Sequence, residues 1–165
     1  MSLALRAIPS RSIVAISTRR TLRRALVPAF RSSFSVDTHK MADISPVFTK
    51  DAAPPAGPYS QAIKTPTAIY CSGQIPCDAA GNLIEGTIGE KTAACITNLK
   101  AVLLAAGSSV QKVVKVNIFL TDMSLFADMN AEYSKWFVHK PARSCVAVKQ
   151  LPKGVDVEIE CIALP

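Results

Sequence analysis

The chain has 165 residues, of which 49% are hydrophobic, 19% charged and 6% aromatic, and its formal net charge is +7. That length holds one domain of about 100–200 residues plus an appendage, and apolar runs such as 101–106 fall far short of the roughly 20 residues that span a bilayer. The hydrophobic content and its periodicity beyond residue 45 exclude a wholly disordered chain.

The charge is concentrated at one end. Residues 1–40 carry Arg6, Arg11, Arg19, Arg20, Arg23, Arg24, Arg31 and Lys40 against Asp37 alone, while residues 41–165 carry eleven basic and eleven acidic side chains. The basic character therefore belongs to a tail, and a basic globular surface for nucleic acid is not expected. The tail is Arg-rich, Ser-rich and almost free of acids, and a 3.6-residue period between Pro9 and Pro28 separates Arg19, Arg20, Arg23 and Arg24 from Val14, Leu22, Ala25 and Ala29. That pattern reads as a mitochondrial presequence over 1–40, with cleavage expected within 31–35. A disordered basic arm that binds RNA or lipid is the alternative for the same composition. Met41-Ala-Asp offers a start for a second, cytosolic form.

From Ser45 onward the elements spell one α+β domain, residues 41–165. A short strand is predicted over 47–50, a proline-fixed loop over 53–58, strands over 59–63 and 68–75, and a turn over 78–82. Thr87-Ile-Gly-Glu90 has capping-box form and leads a helix with apolar Ile88, Cys95, Ile96, Leu99, Val102, Leu103 and Ala106 in register, which Gly107 stops. Val114, Val116, Ile118 and Leu120 alternate with Lys115, Asn117 and Phe119 as one strand. Asp122 or Ser124 caps a second helix whose inner stripe is Phe126, Met129, Tyr133, Trp136 and Phe137. Strands over 143–148 and 155–163 close the chain. The order βββ, α, β, α, ββ puts both helices on one side of a mixed or antiparallel sheet, and the uncovered face points to oligomerisation.

Five cysteines, Cys71, Cys77, Cys95, Cys145 and Cys161, form no CxxC pair, so neither a disulfide framework nor a zinc site is expected. With neither a P-loop nor GxGxxG, the domain is expected to work without metal or nucleotide cofactor.

Chemistry enters near the end of the chain. Arg143 is the only arginine after Arg31; a guanidinium kept at a strand start does what lysine does not, the forked binding of a carboxylate. Alternation puts Arg143 and Cys145 on one face, and Glu158 and Glu160 on one face. A hairpin centred between Leu151 and Pro152 would set Cys145 opposite Glu158, so that a carboxylate binder and a carboxylate base share a site. A solvated Arg–Glu cross-strand pair, worth only about 0–1 kcal/mol, fits the same spacing.

The blocks Gly57-Pro-Tyr-Ser-Gln-Ala62, Ser72-Gly-Gln74, Asn98-Leu99, Ala105-Ala-Gly107, Val113-Val-Lys115, Asn130-Ala-Glu-Tyr133, Pro141-Ala-Arg-Ser-Cys145, Leu151-Pro152 and Glu158-Ile-Glu160 together resemble the reactive-intermediate deaminase family, RidA type, also called YjgF. The resemblance runs unbroken from about Ser45 to Ala163 and is nearest to mitochondrial members. It implies a chorismate-mutase-like fold, a mixed six-stranded sheet with two helices on one face, assembled as a homotrimer with clefts between subunits. It also implies hydrolysis of 2-imino acids, the enamine and imine products of pyridoxal-phosphate threonine and serine dehydratases, to 2-oxo acids and ammonia in the mitochondrial matrix. By the same resemblance Arg143 pairs with the substrate carboxylate, Glu158 activates water, Cys145 acts through its backbone near the imino nitrogen, and Tyr59 and Ser72 form the opposite wall.

Other readings stand beside these. Tyr59 serves equally as a loop anchor, Ser72 as a strand-end structural serine, Cys145 as a core residue, Asn130 and Glu132 as packing or subunit contacts, and Glu160 competes for the base role. The short connection Val138-His-Lys140 leaves the cleft size open, and Cys71 and Cys145 are candidates for oxidation. A non-catalytic binder of small metabolites and an RNA-associated mitochondrial maintenance factor are the alternative functions.

Overall fold

The computed structural model describes residues 43–165; the presequence over 1–40, its cleavage point and the Met41 start lie outside them. Six strands and two helices follow in the order β1 (Ser45–Val47), β2 (Ala62–Lys64), β3 (Ile69–Gln74), α1 (Ile88–Ala105), β4 (Val113–Leu120), α2 (Phe126–Trp136), β5 (Ala142–Ala147) and β6 (Val157–Ala163). They form one sheet with spatial order β1-β2-β3-β6-β4-β5. Only β4 and β5 pair in parallel, so the sheet is mixed.

Helix α1 begins where its residues can satisfy their own end. The Thr87 hydroxyl accepts the Glu90 N–H at 3.3 Å, and the Glu90 carboxylate accepts the Thr87 N–H at 2.8 Å. This reciprocal pairing occupies two of the donors that a helix start leaves orphaned. At the other end Gly107 takes φ +79°, a left-handed turn open to glycine at little cost. Between these ends Cys95, Ile96, Leu99, Val102 and Leu103 show no exposed surface. They pack on Val116, Ile118 and Leu120 of β4 and on Val157, Ile159 and Cys161 of β6 in one core cluster. Removing one such leucine side chain costs about 2–5 kcal/mol. Helix α2 adds Met129, Tyr133 and Phe137 to that cluster, with Phe126 and Trp136 partly buried against it. The expected inner stripe is thus the observed one.

Asp122 does cap, but through a single 3-10 turn: its carboxylate accepts the Ser124 N–H at 2.8 Å, and α2 proper starts at Phe126. Strand β1 lies two residues earlier than predicted, and β2 starts three residues later, for one shared reason. The side chain of Gln61, 1% exposed, accepts the Thr49 N–H and donates to the carbonyls of Thr49 and Ala53. These bonds stand in for ladder bonds and leave 48–61 a loop clamped to the core. Asn98 on α1 completes the clamp, accepting from Ala53 and donating to the Cys77 carbonyl at 2.9 Å.

The main correction concerns the end of the chain. Strands β5 and β6 do not form a hairpin; β4 lies between them, parallel to β5 and antiparallel to β6. Cys145 stands opposite Ile118, and Glu158 opposite Phe119. The sheet accepts this order because β4, like β6, has a continuous buried face and gains from partners on both sides. By contrast β5 carries a charged Arg143 and mostly exposed positions, which suit an edge. The connection 148–156 passes over the end of β4, with Val148 donating to Leu120 and Thr121 to Asp156.

Candidate functional site

Residues paired in register share a face of a sheet. Arg143 and Cys145 pair with Val116 and Ile118, both fully buried, so both point to the helix side. Glu158 and Glu160 pair with Phe119 and Asn117 and point to the open side. Within one chain the cation and the candidate base therefore stand on opposite faces of the sheet.

On the helix side, α2 holds Arg143. Its Nη1 donates to the Asn130 side-chain oxygen at 2.6 Å, and the guanidinium carbon lies 4.7 Å from the Tyr133 ring centre and 5.6 Å from that of Phe126. Such ring contacts contribute about 0.5–2 kcal/mol each and fix the plane of the fork. Phe126, Asn130 and Tyr133 recur at helical spacing, so one face of α2 makes the entire cradle. That periodic signal is visible in the sequence, although by sequence alone Asn130 reads as a packing or subunit contact. One Nη1 donor is taken, and among the described residues no other acceptor meets the guanidinium. It opens on a cavity of about 340 Å³ lined by Asn130, Tyr133, Phe137, Val138, Pro141 and Arg143. The short connection before β5 forms part of its wall, turned tightly by Lys140 at φ 54°. Cys145, two residues along, has its thiol ionisation pushed up by burial, with the Arg143 charge opposing. Burial thus favours the protonated thiol.

On the open side, Glu158 leans over Gly73: a Cβ built on that glycine falls within 3.0 Å of the Glu158 Cγ. Burial first, and the Glu160 charge second, raise the Glu158 carboxyl above the usual glutamate range. Glu160 is occupied, accepting from the Asn117 amide at 2.7 Å, whereas no donor among the described residues reaches the Glu158 carboxylate. Of the two carboxyls, Glu158 is the one with raised proton affinity and no hydrogen-bond donor among the described residues. Gly73 also lines a cavity of about 220 Å³ with Tyr59, Gln61, Cys77 and Lys153. The Tyr59 hydroxyl accepts the Ala56 N–H at 3.0 Å, bracing its own loop. The Ser72 hydroxyl donates to the Ser60 carbonyl at 2.7 Å, which ties β3 to the loop before β2. Tyr59, Ser72 and Glu158 are thus gathered around one stretch of β3, and Arg143 with Cys145 around another part of the fold.

No cluster of metal-ligating side chains occurs among the described residues, and no helix there is long and apolar enough to cross a membrane.

A mixed six-stranded sheet with two helices on one face, β4 and β5 parallel at its edge, defines a chorismate-mutase-like α+β protein. The chain belongs to the family described as Endoribonuclease L-PSP, the YjgF/RidA family, whose model matches residues 49–165. It is 49% identical over 164 residues to the protein mmf1, mitochondrial, of Schizosaccharomyces pombe, covering 97% of this chain and 99% of that one. The crystal structure of yeast Mmf1 superposes with a TM-score of 0.72 at 48% identity, over 73% of this chain and 98% of that one. Escherichia coli TdcF with bound serine superposes at 0.70 and 35% identity, over 73% and 98%.

Proposed function

We propose that the protein is a hydrolase of reactive 2-imino acids, acting at sites completed between copies of the chain in a homotrimer. The observation that carries the reading is the pairing of a pre-oriented guanidinium with a carboxyl of raised proton affinity on opposite faces of one sheet. Two copies, one offering its helix-side edge and the other its open face, bring the two groups to the same cleft. Exposed Tyr70 and Val146 on the open face give such a contact apolar surface to cover.

In that cleft Arg143 forks onto the substrate carboxylate and holds the planar imine in place. Glu158 of the facing copy takes a proton from water as the water oxygen attacks C2 of the protonated imine. The carbinolamine so formed receives that proton on nitrogen, the C–N bond breaks as Glu158 takes the hydroxyl proton, and a 2-oxo acid and ammonia leave, the last proton passing to ammonia or to solvent. A protonated imine is already electrophilic, so orientation, a placed water and exclusion of bulk solvent suffice. The Cys145 backbone and the Tyr59–Ser72 wall bound the imino nitrogen and the side chain.

A serine-bound relative, TdcF, supports a ligand of amino-acid size. The presequence composition, together with the alignment over nearly the full chain to a relative named mitochondrial, supports delivery of residues 41–165 to the matrix. There pyridoxal-phosphate threonine and serine dehydratases supply the substrate, and a product started at Met41 would remain in the cytosol. The RNA cleavage named in the family description gains no support from charge, because the eleven basic and eleven acidic groups of residues 41–165 cancel.

The test couples the recombinant chain to a threonine dehydratase and follows loss of the imine. Two charge-assisted bonds at about 1.5–3 kcal/mol each predict that Arg143→Ala lowers kcat/KM roughly a hundredfold or more. Wild-type rates in that variant would remove the mechanism.

A further inference from the structure

Two cysteines play no part in the chemistry above, Cys71 on β3 and Cys161 on β6, and they are direct cross-strand partners, 6% and 3% exposed. Ser72 sends its N–H to Gln61 on the β2 side. By alternation the backbone groups of Cys71 turn toward β6, which makes Cys71 and Cys161 a hydrogen-bonded antiparallel pair with Cα atoms about 5.5 Å apart. That separation lies within the roughly 4.4–6.8 Å that disulfides span. In-register residues share a face, so both thiols point to the helix side. A hydrogen bond with Cys71, then burial, pushes the Cys161 thiol far above the usual range. The other three cysteines have no such neighbour. Cys77 bridges to Leu83, the Cys95 thiol donates to the Val157 carbonyl, and Cys145 pairs with Ile118.

We propose that Cys71 and Cys161 form a site of reversible oxidative modification, at which a hydroperoxide closes a disulfide between β3 and β6. One sulfur attacks the O–O bond, which breaks, and the hydroxide expelled from hydrogen peroxide leaves as water with that thiol's proton. The second sulfur attacks the resulting sulfenic acid, the S–O bond breaks, and a second water leaves with the second thiol's proton. The peroxide gains the two electrons that the pair loses. A disulfide needs Cβ atoms about 3.8 Å apart, closer than a hydrogen-bonded pair ordinarily holds them, so closure draws β3 toward β6 at residue 71. The register shift between Cys71 and Gln74 follows at once, and there Gly73 carries the Glu158 carboxyl against it. A bond closed under such strain is readily reduced, as labile disulfides are. Burial makes its formation depend on local opening of the strand pair.

The full-length chain is exposed to graded hydrogen peroxide over a time course, denatured in N-ethylmaleimide, digested and analysed by mass. The expected result is a cross-linked peptide pair holding Cys71 and Cys161 at the mass of two lost hydrogens. Both residues should leave the alkylated pool, Cys77 and Cys95 should stay in it, and dithiothreitol should reverse the change. Cys71→Ser and Cys161→Ser, each first checked for native circular dichroism, should both lack the link. Full alkylation of Cys71 and Cys161 at peroxide doses that oxidise Cys145 would overturn the proposal, as would their separate conversion to sulfinic acids or a link joining other cysteines.

Discussion

Mixing two inactive variants tests whether the site is shared between copies, because Arg143 and Glu158 face opposite sides of the same sheet. Arg143→Ala keeps the carboxyl and loses the fork; Glu158→Gln keeps the fork and loses the base. Each homogeneous assembly should hydrolyse imine close to the spontaneous rate. When the two are unfolded, mixed in equal amounts and refolded, a site is whole only if the protomer giving the arginine is Glu158→Gln and its neighbour is Arg143→Ala. Random cyclic assembly makes that combination in about one quarter of the sites, so about a quarter of wild-type activity should return. The assay is imine loss behind a threonine dehydratase, with native mass spectrometry showing that both variants share particles. Mixing the two assemblies without unfolding gives the control for subunit exchange. Mixed particles that contain both variants and remain at the spontaneous rate would refute the shared-site reasoning, because a site within one chain is never rebuilt by mixing.

Three further outcomes follow from the open face. Gly73→Ala puts a methyl where the Glu158 carboxyl now lies, with the nearest carboxyl carbon at 2.8 Å. A flexible side chain yields to it, so the melting temperature should change little while kcat/KM falls about tenfold or more; unchanged activity would show that the carboxyl position does not matter. Burial and then Glu160 raise the Glu158 carboxyl above its ordinary 4.5, so the acid limb of kcat/KM should lie above that value. Glu160→Gln should move the limb toward acid without abolishing it, because burial remains. The sign for stability is the reverse of the usual carboxylate case: a raised folded-state value gives stabilisation that is complete below 4.5 and is lost as pH rises through the folded value. Glu158→Gln should therefore be more stable than wild type at neutral pH and lose that advantage in acid, as read by urea melts at both pH values.

What the sequence settled was local or periodic. The Thr87–Glu90 box, the Gly107 stop and the alternation of Val116, Ile118 and Leu120 each depend on residues a few positions apart, so helix, stop and strand face could all be read directly. The parity of each strand was legible too, and it correctly put Arg143 with Cys145 and Glu158 with Glu160. The displaced starts of β1 and β2 were not legible, since they follow from a Gln61 side chain that replaces ladder bonds with contacts 8 and 12 residues away.

Tertiary structure alone decided which strands became neighbours. A nine-residue link between the last two strands permits a hairpin or a step over an intervening strand, and local propensity does not distinguish them. Burial does: β4 gains more from two partners than β5, whose arginine is better accommodated at an edge. That choice sends the guanidinium to the helix side and the carboxyl to the open side, because side chains alternate with a period of two and each pairing fixes the parity of the next. The residue types needed for the chemistry were thus encoded one by one in the chain, whereas their separation across the sheet came from the competition between strands for the centre of the core.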